Sequence, residues 1–244
     1  MKKLILCGDS NLSPRTDCPG THFSEIFCSK LNFNLITYAR SAISNGAIVL
    51  QIEQAIQDKP DLIILNFTQS DRIEFKHQDQ NIDHRITIKD ISYTSFNSDL
   101  SSRTNNFSGN LFSDNLVSLL SMSDETAQQH KLSKTKLNAI DTYFRELYSH
   151  TWKHKIDCMS IYYAFHQLHK NNIPFLIYQC AFDFNLDLRV DWIPEHYNIC
   201  NEIRELYGNE KLKKDPGYHT SFETQEKIAE FVIQHYNKYF SNVN

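Results

Sequence analysis

Over the first seventy positions of this 244-residue chain, short apolar runs alternate with amphipathic stretches. Leu4–Cys7 is continuously apolar, which predicts a buried strand, and it breaks directly into Gly8-Asp9-Ser10-Asn11. Residues 21–31 then place Phe23, Ile26, Phe27 and Leu31 at helical spacing. Residues 34–38 read as a second strand. Residues 47–57 read as a helix with Ile48, Ile52, Ala55 and Ile56 on one face, and residues 60–65, introduced by Pro60, as a third strand. Strands interleaved with helices of this length predict βαβ units on a parallel sheet.

From about residue 76 to residue 136 that rhythm is lost, and Asn, Ser, Asp and Gln dominate. An unpatterned stretch of this length inside a compact domain reads as a functional loop, a lid or an insertion. Apolar patches at 86–91 and 116–120 suggest that it packs against something, so it is taken as an insertion and not as a second domain. Helical patterns return at 137–150 and 156–171. In the latter, Met159, Ile161, Tyr162, Phe165 and Leu168 form a broad stripe. Residues 175–178 predict a fourth strand and 195–207 a helix. Thr220-Ser-Phe-Glu223 has the form of a capping box, opening a helix that runs to about Phe240 and buries Ile228, Ala229, Phe231 and Val232. The order β-α-β-α-β-(insertion)-α-α-β-α-α fits one domain, a three-layer α/β/α sandwich.

Composition narrows the class without naming it. The net charge of −4 leaves no electrostatic footprint for nucleic acid. The six cysteines (Cys7, Cys18, Cys28, Cys158, Cys180 and Cys200) show no C-x-x-C spacing, so neither a zinc ribbon nor a dithiol motif is predicted; several sit in apolar runs, as small buried hydrophobes do. Only four apolar residues follow Lys2-Lys3 before Gly-Asp-Ser, short of a secretory core of about 7–15. No run approaches the ~20 needed to span a bilayer. A reduced, cytoplasmic protein without membrane partners is the expectation; its oligomeric state stays open.

The crevice outside the carboxyl ends of the strands is where open α/β sheets bind their ligands, and Ser10 falls just past the first strand. A serine attacks a carbonyl only when a base takes its proton. Asp215-Pro-Gly-Tyr-His219, directly before the last helix, offers His219 as that base and Asp215 to hold the imidazole tautomer. The plainer alternatives are a helix-cap serine and a surface histidine.

These segments resemble the blocks of the GDSL-type, or SGNH, hydrolases. Gly8-Asp9-Ser10 matches their first block. Tyr38-Ala-Arg-Ser-Ala-Ile-Ser-Asn45 matches the turn after strand two, with Ala42 in place of the family's glycine. Thr68-Gln-Ser-Asp71 stands where the family has Gly-x-Asn-Asp, and Asp215–His219 where it has Asp-x-x-His. The resemblance implies a flavodoxin-like parallel sheet and an ester hydrolase with Ser10 as nucleophile, His219 as base and Asp215 as its orienter. It implies an oxyanion hole from the Ser10 and Ala42 N–H groups and the Ser70 hydroxyl, with no metal or organic cofactor. One oxyanion donor is worth roughly 3–4 kcal/mol. The chain departs from the family in three places: Ala42 for glycine, Ser70 for the block-three asparagine, and four residues instead of three between Asp215 and His219. Gln69 or Asn45 offers an amide in place of the missing asparagine. The insertion has no counterpart in the blocks.

Other candidates read more plainly. His150/His154 and His166/His169 have facing helical spacing but lack the His-Glu-x-x-His pattern and a third ligand. Asp71 braces the turn after strand three, while Arg72 and Glu74 either line the mouth or form an exposed ion pair. Tyr162, Tyr163 and Phe165 read as core, and Gly8-Asp-Ser-Asn lacks the spacing of a phosphate loop. The expected substrate is a small-molecule or carbohydrate ester such as an O-acetyl sugar. The rivals are a non-catalytic glycan- or partner-binding member of the same fold and an acyltransferase.

Overall fold

The computed structural model describes residues 1–14, 19–39, 43–68, 70, 72–75, 92–95, 135, 139, 142–143, 146–178, 193, 195–208 and 221–240; Ser10, residues 72–75 and 92–95, Tyr207 and Gly208 are described by backbone alone. Four parallel strands, β1 (Lys2–Cys7), β2 (Phe33–Thr37), β3 (Leu62–Leu65) and a fourth at Phe175–Ile177, form one sheet. Its order is β2, β1, β3, then Phe175–Ile177, with Leu4 opposite both Leu35 and Leu62. The order is that of the flavodoxin-like sheet. Between β3 and the last of these strands lies a short antiparallel pair, β4 (Arg72–Phe75) and β5 (Ser92–Ser95), which makes the Phe175–Ile177 strand β6. The polar sequence of β5 gave no strand signal of its own, and apart from Thr135 the rest of the predicted insertion lies outside the described residues.

Helices cover both faces. Leu4 and Leu6 of β1 and Leu62 and Ile64 of β3 point one way, onto α1 (Phe23–Leu31), α4 (Cys200–Gly208) and α5 (Phe222–Tyr239). Ile5, Cys7, Ile63 and Leu65 point the other way, onto α2 (Asn45–Gln57) and α3 (His150–Lys170). This is the predicted three-layer sandwich. The period-2 alternation of strand side chains gives each face its own core. Cys7, Cys28, Cys158 and Cys200 are buried and take part in no disulfide among the described residues, and burial pushes the Cys28 thiol up to about 12. Cys18 and Cys180 lie outside the described residues. Among the described residues no helix is long and apolar enough to cross a membrane.

Several expectations need correction. α3 begins at His150, six residues before the predicted start, because the Ser149 hydroxyl caps it by accepting from the Trp152 N–H at 3.3 Å. Its buried row is Asp157, Ile161, Ala164, Phe165 and Leu168, whereas Met159 and Tyr163 are 63% and 51% exposed and belong to neither stripe nor core. The predicted helix at 195–207 is split into a 3-10 turn (Glu195–Tyr197) and α4. Between them Asn198 forms a parallel bridge with Ile177, and the Ile199 N–H donates to the Ile177 carbonyl at 3.1 Å, so sheet pairing interrupts the helix. The cap of α5 is Ser221, which accepts from the Thr224 N–H at 3.3 Å; Glu223 pairs with Lys227, and Thr220 lies outside the described residues. Phe231 is only partly buried.

Candidate active site

In going from β1 to β2 the chain moves to one side of β1, and in going from β2 to β3 it crosses back to the other. The β1/β3 boundary is therefore the topological switch point, where the carboxyl ends of the strands open a crevice. Both flanking segments are polar and buried.

The first is the turn after β1. Gly8 lies so close to β3 that a Cβ there would stand 2.9 Å from the Asn66 Cβ and 3.0 Å from its carbonyl oxygen, which accounts for the glycine without any unusual φ. Gln51 of α2 clamps the same residue: its Oε1 accepts from the Gly8 N–H at 2.6 Å and its Nε2 donates to the Gly8 carbonyl. Asp9 is fully buried, and its Oδ1 gathers three donors, the Asn11 N–H, the Asn11 side-chain amide and the Asn66 side-chain amide, at 2.7–2.9 Å. Ser10 opens a single 3-10 turn (Ser10–Leu12) held by the Leu12 N–H to the Asp9 carbonyl.

Asn11 leads on to α1 and α5. His22 Nε2 lies 3.2 Å from the Asn11 carbonyl, which fixes the hydrogen on that nitrogen, and Nδ1 meets the Ser24 hydroxyl at 2.7 Å. His22 also caps α1, with Glu25 returning to its backbone N–H. The next N–H, of Phe23, donates to the Gln225 side chain in the first turn of α5. Ser221, the cap of that turn, follows His219 by two residues. The described residues flanking Ser10 and those following His219 therefore meet at one edge of the sheet. Asp215 and His219 themselves lie outside the described residues, as do Ala42 and Asp71.

The second segment follows β3. Asn45, fully buried at the start of α2, grips Thr68 at both ends of its peptide: Oδ1 accepts from the Thr68 N–H at 2.9 Å and Nδ2 donates to the Thr68 carbonyl at 2.8 Å. Asn45 Nδ2 also reaches Asp157 of α3 at 3.1 Å. Ser70 is 2% exposed, and its hydroxyl lies 3.2 Å from His154 Nδ1. Lys153 pairs with Asp157, and the Tyr148 hydroxyl donates to the Ser70 carbonyl at 2.8 Å. Burial raises the Asp157 carboxyl above its ordinary value, while Lys153, Asn45 and Ser70 pull it back down. Asn45 and Ser70, two residues read as touching substrate, thus have their polar atoms engaged inside the protein.

Of the remaining candidates, Arg72 and Glu74 lie in β4 opposite Ser95 and Tyr93. His150 stacks on His154, His166 and His169 are exposed, and no group of three metal-type side chains forms among the described residues. A cleft of about 680 Å³ opens elsewhere, between the Glu195–Tyr197 turn, α4 and the second half of α5; it is lined by His196, His235 and Glu202 among others and holds none of the predicted site residues. Sequence reasoning missed His22, Gln51 and Asp157. His22-x-x-Glu25 carries the capping-box spacing that would have found the first; Gln51 and Asp157 sit in helical patterns with no local signal.

No family model matches the chain, and neither does any curated protein. Among solved structures, a member of the lipolytic protein G-D-S-L family from Veillonella parvula DSM 2008 aligns over 100% of both chains at 11% identity and a TM-score of 0.36. A protein from Desulfitobacterium hafniense DCB-2, assigned to the same lipolytic family, aligns over 96% of this chain and 99% of its own at 10% identity and 0.36. One assigned as an acylhydrolase, from Bacteroides fragilis NCTC 9343, aligns over 97% and 87% at 12% identity and 0.31. The fold assignment rests on the strand order and layering described above.

Proposed function

We propose that the chain is a serine acyl hydrolase that cleaves a small-molecule or carbohydrate ester through Ser10. The observation that carries this reading is the desolvated polar lattice at the switch point: Gly8 flush against Asn66, Asp9 gathering three donors, and Ser10 opening the turn they hold. A buried carboxylate with several hydrogen bonds is an expensive way to make a turn, and it is justified where one backbone geometry must be preorganised. In this reading His219 takes the Ser10 proton as the hydroxyl attacks the ester carbonyl, then gives it to the leaving alcohol, and water repeats the cycle on the acyl-enzyme. Asp215 orients His219. The Ser10 and Ala42 N–H groups receive the oxyanion. Ser70 braces its segment, with its buried hydroxyl against His154.

Turnover of p-nitrophenyl acetate and labelling by a fluorophosphonate test the reading. The wild type is expected to do both, and Ser10→Ala and His219→Ala each to lower turnover by at least about 10³-fold. Unchanged rates in both variants overturn it. The inward-facing Ser70 favours a second reading, a non-catalytic glycan- or partner-binding protein; that protein retains ligand while Ser10 resists the fluorophosphonate. Competing alcohols separate hydrolysis from acyl transfer by their products.

A further inference from the structure

The geometry points to Asp157, acting with Asn45, as a positioning residue for the serine centre: from the far helix layer it fixes the segment after β3 that forms one wall of the Ser10 crevice. This rests on the serine-hydrolase reading above and adds a part that none of the four sequence blocks contains.

Three observations carry it. First, the segment is held almost entirely by remote side chains. Asn45 takes both the N–H and the carbonyl of Thr68, Tyr148 takes the Ser70 carbonyl, and His154 meets the Ser70 hydroxyl. Second, Asp157 is the junction. It accepts from Asn45 and Lys153, so it fixes the orientation of the amide that holds Thr68. Third, the segment continues directly from Asn66, whose side-chain amide ends on Asp9, one residue before Ser10. A displacement of Thr68–Ser70 therefore has a short covalent and hydrogen-bonded route to the turn that carries the nucleophile. Where the block-three asparagine is replaced by an inward-turned serine, the wall has no side-chain amide of its own at that position, and its alignment falls to the helices behind it.

A change of about 1 Å in a preorganised site costs on the order of 10²-fold in rate without weakening substrate binding in proportion. Asp157→Ala is thus expected to lower kcat for p-nitrophenyl acetate about 50-fold with KM within threefold, and to slow fluorophosphonate labelling of Ser10 by a similar factor. Rates are taken per labelled site, well below the melting temperature. Asp157→Asn can still accept from the Asn45 amide, and is expected to restore kcat to within about fivefold of wild type. Tyr148→Phe removes one hydroxyl from the same segment with little loss of volume, and its kcat is expected to fall about threefold to tenfold. It decides the matter if Asp157→Ala does not fold.

A residue that only stabilises the fold lowers the melting temperature and leaves kcat per labelled site alone. Wild-type kcat in folded Asp157→Ala, or in Tyr148→Phe where that variant must decide, overturns the inference and leaves the hydrolase reading standing. A wild type that neither turns over the ester nor takes the label overturns both.

Discussion

The two edges of the sheet are closed in opposite ways. At the amino edge, Phe33 at the start of β2 packs tilted on Phe27 and edge-on to Tyr236, which in turn meets Phe27 edge-on and stacks on Phe240. The charged groups there stay near the surface, with the Lys3 N–H donating to Asp61 and Lys2 reaching the Tyr236 hydroxyl. At the carboxyl edge the burial is polar. Asp9, Asn11, His22, Asn45, Gln51, Asn66, Thr68, Ser70, Asp157 and Gln225 are all buried there, joined by hydrogen bonds that cross between strands and helices. Apolar closure is the cheaper way to finish a sheet, because each polar group taken from water must recover its hydrogen bonds inside. An edge that buries so many is built for geometry, and it is the edge at which α/β sheets place their chemistry.

Removing a major contact at each edge separates the two roles. Asp9→Ala strands three buried donors and is expected to cost about 3–5 kcal/mol, comparable to breaking a buried charged network. Phe33→Ala leaves a cavity under Phe27 and Tyr236 and is expected to cost a similar 3–5 kcal/mol. Urea melts measure both. The comparison lies in the second readout: below the transition, Phe33→Ala should leave fluorophosphonate labelling of Ser10 near wild type, whereas Asp9→Ala should abolish it. Equal labelling in the two variants would show that the carboxyl edge is no more specialised than the amino edge.

Gly8→Ala probes the point where β1 and β3 approach most closely. The added methyl must displace the Asn66 backbone or Leu12, at an expected cost of about 1–3 kcal/mol, and it pushes directly on the residue that ends at Asp9. A thermal melt unchanged from wild type would mean that the turn has room to move, and that Asp9 alone fixes it.

The two edges also differ in how far they could be read from sequence. The strand bodies, the helix faces and the amino-edge aromatics follow from periodicity, since each is a matter of which positions are apolar. Gly8-Asp9-Ser10 was legible because its residues are contiguous at the end of an apolar run, even though Gln51 and Asn66, which hold it, lie far off in sequence. The wall after β3 was not. Its grip comes from Asn45, Tyr148 and His154, between 23 and 84 residues away from Thr68 or Ser70, with Asp157 behind Asn45, and no local pattern marks a helix residue that will turn inward to hold a loop. Ser70 reads as a substrate donor from its place in the motif, yet its hydroxyl is buried against His154 of the helix layer behind it. Asn45 reads as a spare amide, and both ends of that amide are taken by Thr68.

The finest test of the carboxyl edge is its pH response. Burial is the largest influence on Asp157 and raises its carboxyl above the ordinary 3.8, against the opposing pull of Lys153, Asn45 and Ser70. A raised native value means that the folded protein holds this proton more tightly than the unfolded chain does. The stability that comes from the proton is present in full below about 3.8 and is lost as pH rises through the native value. Asp157→Asn has no such proton to lose. Its melting temperature relative to wild type is therefore expected to climb as pH rises from about 3.8 through the native value, with the remaining carboxylates cancelling in the difference. A difference that falls over the same interval would mean that the three donors outweigh burial, making the ionised carboxylate a net stabiliser of the wall and not a group held there at a cost.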